Sequence, residues 1–236
     1  MTTTVEQFFT PGPDQQLPRR IPLFHNETTP SFVARLAAAN HITPEDMHGY
    51  LGGSDPDWID LEWTSIATGY PVETLVDRLP AFAYPGLHRL TIGTTCRHCA
   101  ARRNTTSPVE IYRDPHSNVC LRHQLWIGGH GHQSQLDLTA LPEVTASQRI
   151  HRRLARRHGT HPTAIAFHDA SEIAHRRTRQ PTWPTHLRQR LENGFYQQDP
   201  LQATTTEIDI ITYPDAVTMT TILVHRDTQL DPHHIK

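Results

Sequence analysis

The sequence predicts a mainly α protein, with an N-terminal helix-turn-helix-like helical bundle, a central cysteine-bearing module with short β segments, and a helical C-terminal region. Three observations carry this. Helix-opening signals, Pro alone or after Thr, recur from Thr29 to Pro184 ahead of apolar residues three and four apart. Glycines punctuate these segments at Gly52, Gly69 and Gly159. All three cysteines of the 236-residue chain fall between positions 96 and 120. This length is one large or two small domains, enough to bury a core. A hydrophobic content of 36% and a mean hydropathy of −0.55 are polar, yet within the range of folded proteins.

Residues 1–16, carrying Pro11-Gly12-Pro13, read as a mobile arm. Residues 17–95 form the N-terminal helical domain, entered through an extended segment with Pro18 and Pro22. Thr29-Pro30 then opens a helix, with Thr29 as cap and Phe32, Leu36 and Ala39 on one face, ending near Asn40. Thr43 to Asp46 repeats the device as a capping box and leads to Met47, Tyr50 and Leu51. A third helix is expected over 56–68, with Trp58, Leu61, Ile66 and Ala67 inward, and a fourth from Pro71 through Val72, Leu75, Val76 and Leu79. The core expected from these helices is Phe32, Leu36, Trp58, Leu75 and Leu79. Helix, Gly69 turn and helix fit a helix-turn-helix, and equally a small bundle. Asp55, Asp57 and Asp60 fail the calcium-loop pattern and read as acids at a positive helix end.

Helices are also expected over 142–158, over 162–177 with Ala166, Ala170, Ile173 and Ala174 on one side, and over 184–196. Residues 209–225 stay ambiguous: the β-branched content favours strand, while Pro214 favours a helix start.

Composition excludes several functions. Of 22 basic residues only Lys236 is lysine, so no internal lysine serves a phosphate loop, a kinase strand or a Schiff base. No H-E-x-x-H, G-x-S-x-G or G-x-G-x-x-G occurs. No enzyme is therefore expected, although 18 histidines leave an unusual His-rich site as a third reading. No apolar run approaches the ~20 residues of a membrane helix, and the N-terminus lacks signal-peptide features. The chain reads as cytoplasmic. Charge is partitioned: residues 1–95 carry 5 Arg and 11 acids, and residues 96–198 carry 15 Arg and 7 acids. Residues 199–236 carry 2 basic and 6 acidic residues. A basic middle suits an anionic partner, or acidic ends that face it within the fold.

The sharpest motif is Cys96-Arg97-His98-Cys99 followed, after 20 residues, by Cys120-Leu121-Arg122-His123. Three cysteines do not make a disulfide framework. Tetrahedral zinc takes four N/S ligands as two close pairs, which C-x₂-C and C-x₂-H supply. Cys96, Cys99, Cys120 and His123 are thus the expected ligands of one structural zinc, within a zinc-finger module over 96–135. Four ligands imply a closed site. Arg97, Arg102, Arg103 and Arg122 are placed to offset its charge. His98 and His116 are alternate ligands. His130 and His132 suit either a second metal or a flexible polar loop.

With these pairs in place the chain resembles the TniQ family of bacterial transposition accessory proteins. The resemblance covers about residues 17–130. It rests on the 17–22 lead-in, on Glu27, Ser31, Phe32, Ala34, Arg35 and Leu36, on the 43–51 helix, on the two zinc pairs, and on Trp126 shortly after the histidine. The further cysteine pair of many family members is missing from 127–136, Arg97 stands where a proline is frequent, and the long C-terminal domain of larger members is missing. The chain therefore looks like the short standalone type. The resemblance implies an adaptor that links a target-recognition module, DNA or an RNA–protein complex, to an AAA+ transposition ATPase.

Within residues 136–236, Arg149, Arg152, Arg153, Arg156 and Arg157 recur at helical spacing and form one face, with Ile150 and Leu154 along its edge. No acid lies between Val144 and Gly159. Such forks match phosphate oxygens without reading sequence, so this face is the candidate nucleic-acid or partner surface. The alternative reading is a zinc-containing, DNA-binding transcriptional regulator that uses the Gly69 helix pair. A homodimer is a further open partner.

Overall fold

Among the residues described by the computed structural model (12–53, 58–84, 91–129, 132–196 and 199–230), helices dominate and the strands are short. They divide into two units: the described parts of 1–95 with 99–113, and those of 96–98 with 114–236.

In the first unit, α1 (Thr29–Asn40) starts one residue before the expected position. Thr28, extended at φ −74° and ψ 147°, is the cap, and its hydroxyl accepts from the Ser31 N–H. Helix α2 (Pro44–Tyr50) has the cap of the expected box, Thr43 accepting from the Asp46 N–H at 3.1 Å, but the Asp46 carboxylate closes on the Thr43 hydroxyl, which donates to it at 2.8 Å, in place of the Thr43 N–H. Helix α3 (Leu61–Thr68) starts later than expected because Asp60 caps it, accepting from the Trp63 N–H at 2.8 Å. Pro56, Asp55 and Asp57 lie outside the described residues. Trp58 therefore precedes the helix and is 51% exposed, not core. Ile66 is exposed too, because α3 buries Thr64, Ala67 and Thr68.

Gly69, at φ +64°, ends α3 in the left-handed conformation, and a Cβ there would collide with Gln16. Helix α4 (Val72–Arg78) follows, burying Leu75 while Val72 faces solvent. Phe32, Leu36, Met47, Leu51, Leu75 and Leu79 are fully buried together. Strands β1 (Ile92–Thr94) and β2 (Glu110–Tyr112) pair antiparallel, Gly93 opposite Ile111. The lead-in is pinned to both parts: Leu17 N–H donates to Ala67 at 2.7 Å, and Thr28 N–H to Glu110 at 2.9 Å. Residues 1–11 of the expected arm lie outside the described residues, whereas Gln16 already bonds the Thr68 carbonyl at 3.1 Å.

Glu27, Ser31 and Arg35 form a buried ion-pair knot. Glu27 is fully buried and Arg35 nearly so. Arg35 donates from Nε and Nη2 to the two Glu27 oxygens, each at 2.8 Å, and from Nη2 to the Pro22 carbonyl at 2.8 Å. Ser31 and the Phe24 N–H donate to the same carboxylate at 3.1 and 3.3 Å. The lead-in is thereby clamped to α1.

In the second unit, β3 (Val119–Cys120) and β4 (Leu125–Trp126) form an antiparallel hairpin. Helices α6 (Pro142–His158), α7 (Thr160–Thr178), α8 (Thr185–Phe195) and α9 (Thr205–Leu230) follow. The α6 bounds match the sequence expectation. On α7, Ala166, Ala170 and Ala174 are buried and Ile173 is exposed. The ambiguous 209–225 stretch is helix. It packs against α6, α7 and α8 through a face that includes Ile210, Ile211 and Val217. Hydroxyls of Thr212, Thr218, Thr220 and Thr221 bond carbonyls four residues back, which accommodates β-branched residues in a helix. Pro214 lacks the N–H that would reach back to Ile210, and beside it Arg190 donates to the Ile211 carbonyl at 2.8 Å. No described helix is long and apolar enough to cross a membrane.

Candidate metal centre and basic face

Cys96 immediately precedes α5 (Arg97–Ala101), whose first turn brings Cys99 back beside it. Cys120 ends β3, and the turn before β4 returns His123, whose N–H donates to the Cys120 carbonyl at 3.2 Å. Gln124, at φ 47°, completes that turn. The donor atoms of Cys96, Cys99, Cys120 and His123 all lie within 4.8 Å of one another. His123 Nδ1 stands 3.4 Å from the Cys96 sulfur and 3.6 Å from that of Cys120. A tetrahedron with Zn–S near 2.3 Å and Zn–N near 2.0–2.1 Å places N and S about 3.6 Å apart. None of the three cysteines is in a disulfide. This Cys₃His group can hold a metal ion and is compatible with zinc.

The alternates stand apart from it. The His98 ring lies 5.3 Å from that of His123 without joining the donor group. His116 instead faces His151, ring centroids 6.3 Å apart. His130 and the side chain of His132 lie outside what is described. Of the arginines expected to offset the charge, Arg97 uses its N–H and guanidinium to bond Gln135 at 2.9 and 3.1 Å. Arg103 is committed elsewhere, donating to the Leu23 carbonyl at 3.0 Å and lying over the Phe24 ring. Arg102 and Arg122 are exposed.

On α6, Arg149, Arg153, Arg156 and Arg157 are exposed and Arg152 is half-buried. Among the described residues no carboxylate lies within ion-pair distance of any of the five. Arg149, Arg152, Arg153 and Arg156 surround a hollow of about 440 Å³ with His116 and Leu121; Arg157 does not line it. Of the two apolar residues along the edge of the arginine face, Leu154 is buried and Ile150 remains 42% exposed.

The opposite face of α6 holds what sequence reading missed. Gln148 and His151 are fully buried. Gln148 Oε1 accepts from the N–H groups of Asn118 and Val119, both at 2.9 Å, and from the Tyr213 hydroxyl at 3.1 Å. Its Nε2 donates to the His116 carbonyl at 2.6 Å. His151 Nδ1 lies 3.0 Å from the Tyr213 hydroxyl, while Nε2 is buried without a partner among the described residues. Since that hydroxyl donates to Gln148, Nδ1 carries the proton of a neutral imidazole. Burial, assisted by His116, lowers the His151 pKa to about 3. The polar cluster thus couples the α6 helix to the chain just before Cys120. The only sequence signal was polar residues at 148 and 151, in step with apolar Val144 and Leu154.

Fold and site together define a mainly helical protein carrying a Cys₃His group that could hold a metal ion. No family model and no solved structure matches the chain. Part of it is similar to curated type III pantothenate kinases. The similarity is 31% identity over 88 residues with that of Burkholderia cenocepacia, covering 35% of this chain and 33% of the relative. With that of Burkholderia multivorans it is 35% over 72 residues, 28% of each chain. The chain thus spans about a third or less of the length of these relatives.

Proposed function

We propose that this chain is a non-enzymatic, zinc-stabilised adaptor of the short TniQ type, acting in the cytoplasm and engaging nucleic-acid phosphates through the Arg149–Arg157 face. The observation that carries the reading is that face: five guanidiniums on one side of α6, with no carboxylate in ion-pair distance among the described residues. Zinc, when bound, supplies cross-linking and no reaction, because three thiolates and an imidazole fill a tetrahedron and leave no open position. The resemblance to TniQ rests on the sequence motifs and makes an AAA+ transposition ATPase the partner to be linked. The partial similarity to type III pantothenate kinases covers too little of those enzymes to carry their activity here. A regulator reading DNA with α4 is less favoured, because its exposed Glu73 and Asp77 would meet phosphates with like charge.

The test is a titration of labelled duplex DNA at several salt concentrations. Five phosphate contacts give a slope of log K against log[salt] near about −4.5. Arg152→Ala with Arg156→Ala flattens it by about 2 and weakens binding equally across sequences. Identical affinities and slopes for the two proteins overturn the reading.

A further inference from the structure

We propose that a cleft in the first unit binds a compact phosphorylated organic anion through Arg19, Arg20, Arg78 and Arg103. The proposal uses none of the residues of the α6 face and stands independently of it. The cleft has a volume near 1020 Å³, at the top of the ~300–1,000 Å³ range of small-molecule sites. Residues 1–95 hold five arginines against 11 acids. Four of those five line this one cleft, Arg103 joins them from beyond α5, and among the described residues no acid lines it.

The fifth lining arginine, Arg35, is neutralised by Glu27. Among the described residues the Arg78 guanidinium pairs only with its neighbour Asp77, at 3.0 Å, in an exposed pair that solvent weakens. Among the described residues no carboxylate lies within ion-pair distance of Arg19, Arg20 or Arg103. Two of these forks are already oriented. Arg20 donates to the Gly69 carbonyl at 3.2 Å and lies 4.5 Å over the Tyr70 ring, whose hydroxyl donates to the Ile21 carbonyl at 2.9 Å. Arg103 donates to the Leu23 carbonyl at 3.0 Å and lies 5.0 Å over Phe24. A guanidinium has five N–H donors, so each held fork retains donors for oxyanions.

Thr106 and Ser107 add hydroxyls to one side, while Ile21, Ala38 and Ala39 make the lining partly apolar. Oxyanion donors beside apolar surface fit a ligand with phosphate and an organic body. A long polyanion is disfavoured, because residues 1–95 carry six more acids than arginines and that net charge opposes further phosphates.

The experiment is calorimetric titration of the full chain carrying Ala in place of Arg149, Arg152, Arg153, Arg156 and Arg157, so that no guanidinium of the α6 face contributes. ATP and inorganic tripolyphosphate are expected to bind, and adenosine is not. Adding Arg19→Gln and Arg20→Gln weakens ATP about tenfold or more, as loss of charge-assisted bonds requires, and Lys at the same positions restores part of it. Both side chains are exposed, and unchanged circular dichroism and melting establish that the fold is intact. If Arg20→Gln unfolds the unit, Arg19→Gln alone carries the test. Failure of both ATP and tripolyphosphate to bind overturns the proposal, as does binding indifferent to Arg19 and Arg20. A 5′-phosphorylated oligonucleotide that binds far more tightly than ATP, with the same arginine dependence, overturns the compact-ligand claim.

Discussion

Replacing Arg35 by Met removes the cation from beneath a fully buried carboxylate. Glu27 then keeps only the Ser31 hydroxyl and the Phe24 N–H, having lost both guanidinium bonds of 2.8 Å; the Pro22 carbonyl loses its donor as well. Breaking one side of a buried pair costs about 3–5 kcal/mol, a large share of the ~5–15 kcal/mol that holds a whole domain. Burial already pushes the Glu27 carboxyl above its ordinary value, with Arg35 and the hydrogen bonds pulling it down. Without Arg35 it rises further. The native state of Arg35→Met then binds a proton that the unfolded chain has released above pH ~4.5, so stability falls as pH rises from there to the folded pKa, by at most ~1.4 kcal/mol per unit. The double variant Glu27→Gln with Arg35→Met removes the stranded charge and recovers much of the loss. Urea unfolding followed by circular dichroism, with hydrogen exchange of the 29–40 amides, measures all three proteins at pH 5 and pH 8. A loss below about 1 kcal/mol for Arg35→Met, or a double variant no better than the single, refutes the reasoning.

His151 titrates in the opposite sense: with a folded pKa of about 3 against ~6.5 unfolded, stability falls as pH drops below 6.5 and continues to fall toward 3. His151→Phe removes that component, so melting temperatures of variant and wild type should converge or cross as pH drops from 8 to 4; parallel curves contradict the assignment. Phe32, fully buried in the first unit, should lose about 3–5 kcal/mol on truncation to Ala, and a loss below 1 in urea unfolding contradicts its place in the core.

Local signals were the legible part of this fold. Thr43 with Asp46, Gly69 and the 142–158 helix are set by contacts within a few residues, and each reads directly from the chain. So do the cysteine pairs, because a knuckle and a tight turn bring ligands together before any long-range packing. Trp58 was misread because the cap that starts α3 is Asp60, and a five-residue shift of the helix start leaves that side chain outside the helix. The 209–225 stretch could not be decided locally, since packing of α9 against three helices outweighs β-branched propensity. Glu27 and Arg35 were visible as a motif but not as a pair, because nothing in the spacing says that both are buried. The arginines of the cleft, at 19, 20, 78 and 103, are gathered only by tertiary structure.

The Arg-bearing helix is seated on the chain just before Cys120 through Gln148, so the account turns on whether the Cys₃His group holds its metal. Structural zinc supplies on the order of 10–16 kcal/mol of apparent binding energy. The direct measurement is elemental analysis of the purified, dialysed full chain beside Cys99→Ser. The account predicts one zinc per wild-type chain, tightly retained, and its loss in Cys99→Ser together with protection of the 90–130 amides. A wild-type chain that folds and binds DNA with no zinc contradicts it.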